Sequence, residues 1–264
     1  MCLILMALDQ HPAFPLVIAA NRDEFHARPS DVMHWWEPPS GIPVLAGRDL
    51  SAGGTWLGLT RRGRIAAVTN VRSGRPEQAR YSRGELTTRF LSCNASATDY
   101  AYAIRGEADA YAGFNLLIRD EHGWIYTSNR DSVPLRHLHR GNFGLSNHQL
   151  QTTWPKVSFG RARLRQILQD LPPSTSDSIA QSLHDHLLHA LQHDHEAPDH
   201  LLPDTGVGLA TERMLSPPFI KGIHYGTRAS TVITQDSNGH IRVTEQNWGP
   251  NHARLGTLNF DWRL

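Results

Sequence analysis

The sequence predicts a mixed α+β domain. Strand patterns occupy the first 70 residues and the C-terminal third, and helical patterns lie between them. Strands, then helices, then strands are typical of an α+β domain rather than of alternating parallel β-α units. The chain has 264 residues with no linker and no internal repeat, so we expect one domain over residues 1–264 with a substantial core.

The N-terminal part of the chain contains two predicted hairpins. Residues 2–8 and 15–20 are apolar runs separated by a polar turn at 9–12. The second hairpin joins residues 55–60 to residues 65–69 through a glycine-containing turn. Both pairs favour antiparallel strands.

The sequence between these hairpins is polar and rich in proline, notably over residues 28–41, and predicts no strand. Gly53-Gly54 precedes a strand and lacks the spacing of a dinucleotide-binding loop. We therefore expect a tight turn there that admits a close backbone approach. Trp35-Trp36 and Trp56 are typical either of an apolar ligand pocket or of core packing.

Helical spacing marks four segments, and Ser96 is a predicted N-cap for the second of them. A further hairpin and three C-terminal strands complete the pattern. The predicted helices cover 84–93, 97–105, 155–170 and 175–193, and the predicted strands cover 116–118, 124–126, 227–234, 240–246 and 255–260.

Composition excludes several classes of protein. Twenty-six basic and 25 acidic residues give a net charge of +1, so we expect no nucleic-acid partner. No apolar run approaches the roughly 18 residues of a membrane span, and no secretory signal opens the chain. The two cysteines cannot form a disulfide framework, which favours a reducing compartment. A cytoplasmic protein without an integral membrane segment is expected.

Histidines are numerous: six of the 16 lie between His184 and His200. His186, His189 and His193 would share one helical face, where a metal ion could bridge them. Because no carboxylate or cysteine completes a known metal-binding signature, we predict a solvated helix followed by a loop, and no metal.

Cys2 is the strongest candidate for a catalytic residue. Removal of Met1 would leave a thiol of pKa ~8.5 beside an α-amine of pKa ~7.7–8.0, which together form a nucleophile and its base. A small apolar residue opening a strand is the competing interpretation. Cys93, on a predicted helix, is expected to be buried and inert.

The second strand of the first hairpin ends in polar residues. If residues 2–8 pair with 15–20, Arg22 and Asp23 come to the end of the hairpin where Cys2 lies. An arginine favours a thiolate, and a carboxylate can hold an α-ammonium group. A charged turn at the surface is the competing interpretation, and the spacing alone does not decide between the two.

Five motifs, in order, resemble those of the NRDE family, the transport-and-Golgi-organisation-like proteins. The resemblance spans most of the chain and implies an N-terminal-nucleophile hydrolase fold, a four-layer αββα sandwich of two antiparallel sheets. The motifs are Cys2, Asn21-Arg22-Asp23-Glu24, Gly53-Gly54-Thr55-Trp56-Leu57-Gly58, Thr69-Asn70-Val71-Arg72 and Gly226-Thr227-Arg228.

A looser resemblance extends to choloylglycine hydrolases, penicillin V acylases and acid-ceramidase-like amidases. It implies a catalytic set made up of the nucleophile Cys2, the nearby arginine Arg22, the amine-binding aspartate Asp23, the asparagines Asn70 and Asn147, and the distal arginine Arg228. An asparagine amide suits an oxyanion hole, where one donor is worth ~3–4 kcal/mol. Together with the strand pairing, the resemblance predicts that Cys2 is the more reactive thiol and lies in an open pocket with Arg22, Asp23 and Arg228.

Two functions follow from these resemblances. The first is hydrolysis of an amide or thioester bond in a small or acyl-chain substrate, with no cofactor. The second is non-catalytic binding and trafficking of haem, acyl-CoA or lipid on the same fold, in which a cysteine or histidine could ligate haem iron. The fold alone does not decide between them. The substrate is open because Asn21 and Glu24 depart from the amidase pattern.

Overall fold

The structure, a computed structural model, describes residues 2–75, 77–133 and 135–264. In chain order its strands and helices are β1 (Cys2–His11), β2 (Phe14–Phe25), β3 (Ser30–Trp36), β4 (Val44–Asp49), β5 (Leu57–Thr60), β6 (Ile65–Asn70), α1 (Arg83–Leu91), α2 (Ala97–Gly106), β7 (Phe114–Asp120), β8 (Gly123–Ser128), β9 (Arg136–Leu138), β10 (Gly141–Leu145), α3 (Pro155–Gln169), α4 (Asp177–Leu191), α5 (Leu209–Met214), β11 (Tyr225–Gln235), β12 (His240–Gly249) and β13 (Ala253–Arg263).

The chain folds as two compact units. The first comprises the chain up to Ala27 together with Arg140–Ser146 and Leu150–Leu264. The second comprises Arg28–His139 and Asn147–Gln149. Each unit contains one antiparallel sheet with helices packed against it, so the α+β class and the two antiparallel sheets are confirmed.

The six-stranded sheet of the first unit has the order β10-β1-β2-β11-β12-β13. Residues 2–8 of β1 are all buried, which is why the strand is a continuous apolar run rather than an alternating one. Helices α3 and α4 cover one face through an apolar core to which Leu3, Leu5 and Ala19 contribute from the sheet and Leu164 and Leu187 from the helices.

The seven-stranded sheet of the second unit is a meander in which β3 to β9 follow in chain order. Its core packs alternate residues of the central strands against α1 and α2. Ser96 caps α2, as predicted: its side chain accepts a hydrogen bond from the Asp99 N–H. The close backbone approach predicted at Gly53-Gly54 is present in the structure, because a side chain on Gly54 would collide with the backbone of Gly84.

Four strands, β3, β4, β9 and β10, were not predicted from the sequence. Residues 28–41 give no strand pattern, yet β3 covers Ser30–Trp36 and pairs with β4. Strand β3 lies at the edge of its sheet, and Met33 is its only buried residue, so it lacks the apolar alternation that marks a strand. The turn of the first hairpin also differs from the prediction, since β1 continues to His11 and β2 begins at Phe14.

The histidine-rich segment differs from the prediction in two places. Helix α4 ends at Leu191, so His193 does not share a helical face with His186 and His189, and its ring stacks on Phe159 instead. His184 is fully buried, whereas a solvated helix was expected. Trp35 and Trp36 lie on the edge strand β3.

Candidate functional site

Cys2 and Arg22 are direct partners across the β1–β2 hairpin. Antiparallel partners point to the same face of a sheet, so these two side chains share a face. The predicted meeting of the polar strand end with the start of the chain is therefore confirmed. It follows from the register alone, since Leu3 pairs with Asn21 and Ile4 with Ala20.

The Cys2 side chain is buried, with 6% of its surface exposed. This burial belongs to the chain that carries Met1, and the open pocket expected around an N-terminal Cys2 stays a prediction. Burial raises the pKa of the Cys2 thiol, the Asp23 carboxylate adds to the rise, and the Arg22 guanidinium opposes it. The main-chain carbonyl of Cys2 accepts a hydrogen bond of 2.8 Å from the Ser146 hydroxyl, which holds the first residue of β1 in place.

Arg22 is held on the Cys2 side of the sheet by Glu24. The two side chains lie two residues apart on β2, and the guanidinium Nη2 is 3.8 Å from the Glu24 carboxylate. Residues two apart on a strand share a face. Glu24 thus places a second charge beside the candidate nucleophile, a contact that sequence reasoning did not assign.

Asp23 is almost completely buried, with 1% exposed, and pairs with Thr227 on β11. The Thr227 hydroxyl donates a hydrogen bond of 2.7 Å to Asp23 Oδ1. A buried carboxylate needs such donors, because desolvation of an ionised carboxylate is costly. The motif threonine, to which the sequence reasoning gave no role, is therefore part of the aspartate site.

Arg228 occupies an irregularity in the β2–β11 ladder. Thr227 pairs with Asp23 and Ala229 with Arg22, so Arg228 is the extra residue of a β-bulge. Its guanidinium Nη1 lies 3.4 Å from the carbonyl oxygen of Phe25. Bulges often redirect a side chain beside an active site. The structure thus brings Arg228 to the same strand ends as Arg22 and Asp23.

Asn70 and Asn147 belong to the second unit and contact each other. Asn147 Nδ2 donates to the main-chain oxygen of Asn70 at 3.0 Å and to its Oδ1 at 2.9 Å. The main-chain oxygen can only accept, so the orientation of the Asn147 amide is fixed. Asn147 therefore orients Asn70.

Asn21, the first residue of the four-residue motif, has a packing role. Its Nδ2 donates to the main-chain oxygens of Leu191 and Pro218, and its Oδ1 accepts from the Ser230 hydroxyl. The side chain is fully buried and joins the end of α4 to the sheet. No pattern in the sequence indicates this role, because it depends on contacts with residues far along the chain.

No cluster of three or more metal-binding side chains occurs within residues 2–75, 77–133 and 135–264. In the same part of the chain, no helix is long and apolar enough to cross a membrane. Cys93 follows α1 and is half-buried, rather than lying buried within a helix as expected.

The family described as Transport and Golgi organisation 2 matches residues 1–250 of the chain. The chain belongs to this family. A Transport and Golgi organization protein 2 homolog of Bos taurus is 34% identical over 284 residues, covering 100% of this chain and 99% of the bovine protein. The human homolog is 34% identical over 262 residues, covering 93% of this chain and 92% of the human protein.

A more distant relative of this Transport and Golgi organisation 2 family member is found in Drosophila melanogaster, at 24% identity over 271 residues, covering 93% of this chain and 92% of the fly protein. Among solved structures, penicillin V acylase from Agrobacterium tumefaciens matches with a TM-score of 0.55 and 12% identity, covering 100% of this chain and 86% of the acylase. At that identity the likeness establishes the fold, which is of the N-terminal-nucleophile hydrolase type.

Proposed function

We propose that the protein is an N-terminal-cysteine hydrolase that cleaves an amide or thioester bond of a small or acyl-chain substrate. Removal of Met1 would make the Cys2 α-amine the base for the Cys2 thiol. The observation that carries the proposal is the pairing of Cys2 with Arg22, next to the buried carboxylate of Asp23. The acylase fold supports the same class of reaction.

The reaction begins with the neutral thiol, because a cysteine thiol of ordinary pKa, ~8.5, is mostly protonated at neutral pH. The sulfur forms a bond to the substrate carbonyl carbon while the thiol proton passes to the α-amine. The amine returns this proton to the leaving group as the C–N or C–S bond breaks. Water then cleaves the acyl-enzyme, which releases the acid and restores the thiol.

Charged residues of the first unit support this step. Asp23 would hold the α-ammonium that forms when the thiol is deprotonated. Arg22 favours the developing thiolate, and Arg228 would bind an anionic part of the substrate. By the resemblance to amidases, Asn70 or Asn147 would donate a hydrogen bond to the oxyanion. The hydrogen bond that Asn147 donates to the Asn70 side chain supports Asn70 as that donor.

The test begins with the intact mass of the purified protein, which reports whether Met1 is removed. Wild type, Cys2→Ser and Cys2→Ala are then screened against amides and thioesters with short and long acyl chains. We expect Cys2→Ser to lose most turnover and Cys2→Ala to lose all of it. Cys93→Ala, the matched control, should keep full turnover. Equal turnover by wild type and Cys2→Ala would exclude the proposed nucleophile.

One observation favours a second function, binding without hydrolysis. The buried Cys2 thiol has a raised pKa, so it is mostly neutral and a weak nucleophile unless a base activates it. A haem or acyl-CoA carrier needs an apolar site and an anchoring charge, which Arg22 or Arg228 could supply, but it needs no free α-amine.

Ligand recovery separates the two functions. Protein with Cys2 exposed and protein that retains an N-terminal extension are each titrated with haemin and with a long-chain acyl-CoA, and the recovered ligand is analysed by mass. Cleaved ligand from the Cys2-exposed form alone supports the hydrolase. Stoichiometric binding by both forms, with release of unchanged ligand, supports the carrier.

A further inference from the structure

The contact between Thr227 and Asp23 is directed by a third residue, Ile220. The Thr227 hydroxyl oxygen accepts a hydrogen bond of 2.9 Å from the Ile220 N–H and donates one of 2.7 Å to Asp23 Oδ1. A peptide N–H can only donate, so the single hydroxyl proton of Thr227 is available for the carboxylate. The Thr227 N–H also donates to the Ile220 oxygen at 2.9 Å. One residue therefore fixes both the backbone and the hydroxyl of Thr227.

The residue before Thr227 makes this arrangement possible. A Cβ atom on Gly226 would lie 2.7 Å from the Ile220 carbonyl oxygen, which is closer than packing allows. Glycine at 226 therefore lets the Ile220 segment approach β11. Thr227 and Asp23 are each 1% exposed, and a hydrogen bond to a carboxylate is strong when water is excluded.

We propose that Thr227 is a positioning residue for Asp23, which sets the direction of the carboxylate toward the Cys2 α-amine before substrate binds. The inference rests on the proposed function, in which Asp23 holds that amine. Each residue of the Gly226-Thr227-Arg228 motif then has a role. Gly226 lets the Ile220 segment approach β11, Thr227 orients the Asp23 carboxylate, and Arg228 is the extra residue of the bulge.

The test measures the pKa of the Cys2 α-amine, which requires no substrate. Protein is made with a cleavable extension whose removal leaves Cys2 first, and the amine is titrated by NMR. Thr227→Val should lower the amine pKa by about one pH unit, because the carboxylate loses its donor and its fixed direction. Thr227→Ser should restore the wild-type value. Thr231→Val is the matched control, a buried threonine of β11 whose hydroxyl contacts Glu245, and it should leave the pKa unchanged.

A double-mutant cycle separates positioning from general structural damage. Asp23→Asn should lower the amine pKa, and adding Thr227→Val to it should have no further effect. For a hydrolysed substrate, Thr227→Val should reduce kcat about tenfold or more with little change in KM. Equal effects of Thr227→Val on both backgrounds would overturn the inference, as would failure of Thr227→Ser to restore the pKa.

Failure of the proposed function gives a different result from failure of the inference about Thr227. Wild type that cleaves no amide or thioester, or Cys2→Ala that cleaves as fast as wild type, rejects hydrolysis. The amine pKa values decide the role of Thr227 in either case. If Asp23→Asn does not fold, the comparison of Thr227→Val with Thr227→Ser decides it alone.

Discussion

The Nε2 atom of His184 on α4 lies 2.9 Å from the hydroxyl oxygen of Thr234 on β11. The Nδ1 atom lies 2.9 Å from the hydroxyl oxygen of Thr244 on β12, so the imidazole links the helix to two strands. The ring is fully buried, and burial, together with the nearby charge of Arg242, lowers its pKa to about 3. This histidine is therefore neutral in the folded protein at all moderate pH values.

Acid should destabilise the fold through His184. The unfolded chain binds a proton at this histidine below about pH 6.5, whereas the folded chain does not until about pH 3. Between these values His184 should cost about 1.4 kcal/mol of stability for each pH unit lost. Urea unfolding of wild type and His184→Gln at pH 7, 6 and 5 measures the difference in slope. His186→Gln, an exposed change on the same helix, should keep the wild-type slope, and an equal slope for His184→Gln contradicts the prediction.

Alkylation should report the burial of Cys2. In protein that retains Met1, the buried Cys2 thiol with its raised pKa should react more slowly with iodoacetamide than half-buried Cys93. Removal of Met1 should increase the rate at Cys2, because the new α-amine can accept the thiol proton. Peptide mapping by mass spectrometry at neutral pH compares the two thiols. Faster labelling of Cys2 than of Cys93 in the Met1-bearing form would show that burial does not control its reactivity.

Asn147→Asp should destabilise the second unit. The new carboxylate oxygen would face two oxygens of Asn70 in place of an N–H donor, which should cost about 1–3 kcal/mol. Asn259→Asp is a milder control, because this side chain is exposed and its Oδ1 accepts a hydrogen bond from the Thr244 hydroxyl, as a carboxylate oxygen also can. Denaturant unfolding compares the two variants with wild type. A loss no larger for Asn147→Asp than for Asn259→Asp would argue against this geometry.

Gly54→Ala should also destabilise the protein, by about 1–3 kcal/mol, because the added methyl group would overlap the backbone of Gly84 at the start of α1. Gly106→Ala is the matched control: its added methyl group meets no atom within 4 Å at the end of α2, and it should gain about 0.4–1 kcal/mol. Thermal unfolding measures both. A neutral Gly54→Ala would indicate that the turn can move away from the helix.

Local patterns were sufficient for much of the fold. The four long helices and the hairpin from β1 to β2 are visible in the sequence, because helix caps and apolar periods depend on neighbouring residues. Edge strand β3 could not be predicted, since its residues show no alternation between buried and exposed positions. The burial of His184 could not be predicted either, because the same helical spacing suits an exposed or a buried histidine.

The sequence by itself determined that the start of β1 lies near the polar end of β2, because two apolar runs joined by a short turn pair as a hairpin. The structure decided that Cys2 pairs with Arg22, because an irregularity between Leu8 and His11 shifts the register. Only the tertiary structure decided that Thr227 holds Asp23, that a bulge carries Arg228 and that Asn21 binds the end of α4. These contacts join residues about 170 to 204 positions apart. No local period encodes such separations, because they depend on which strands become neighbours when the whole core packs.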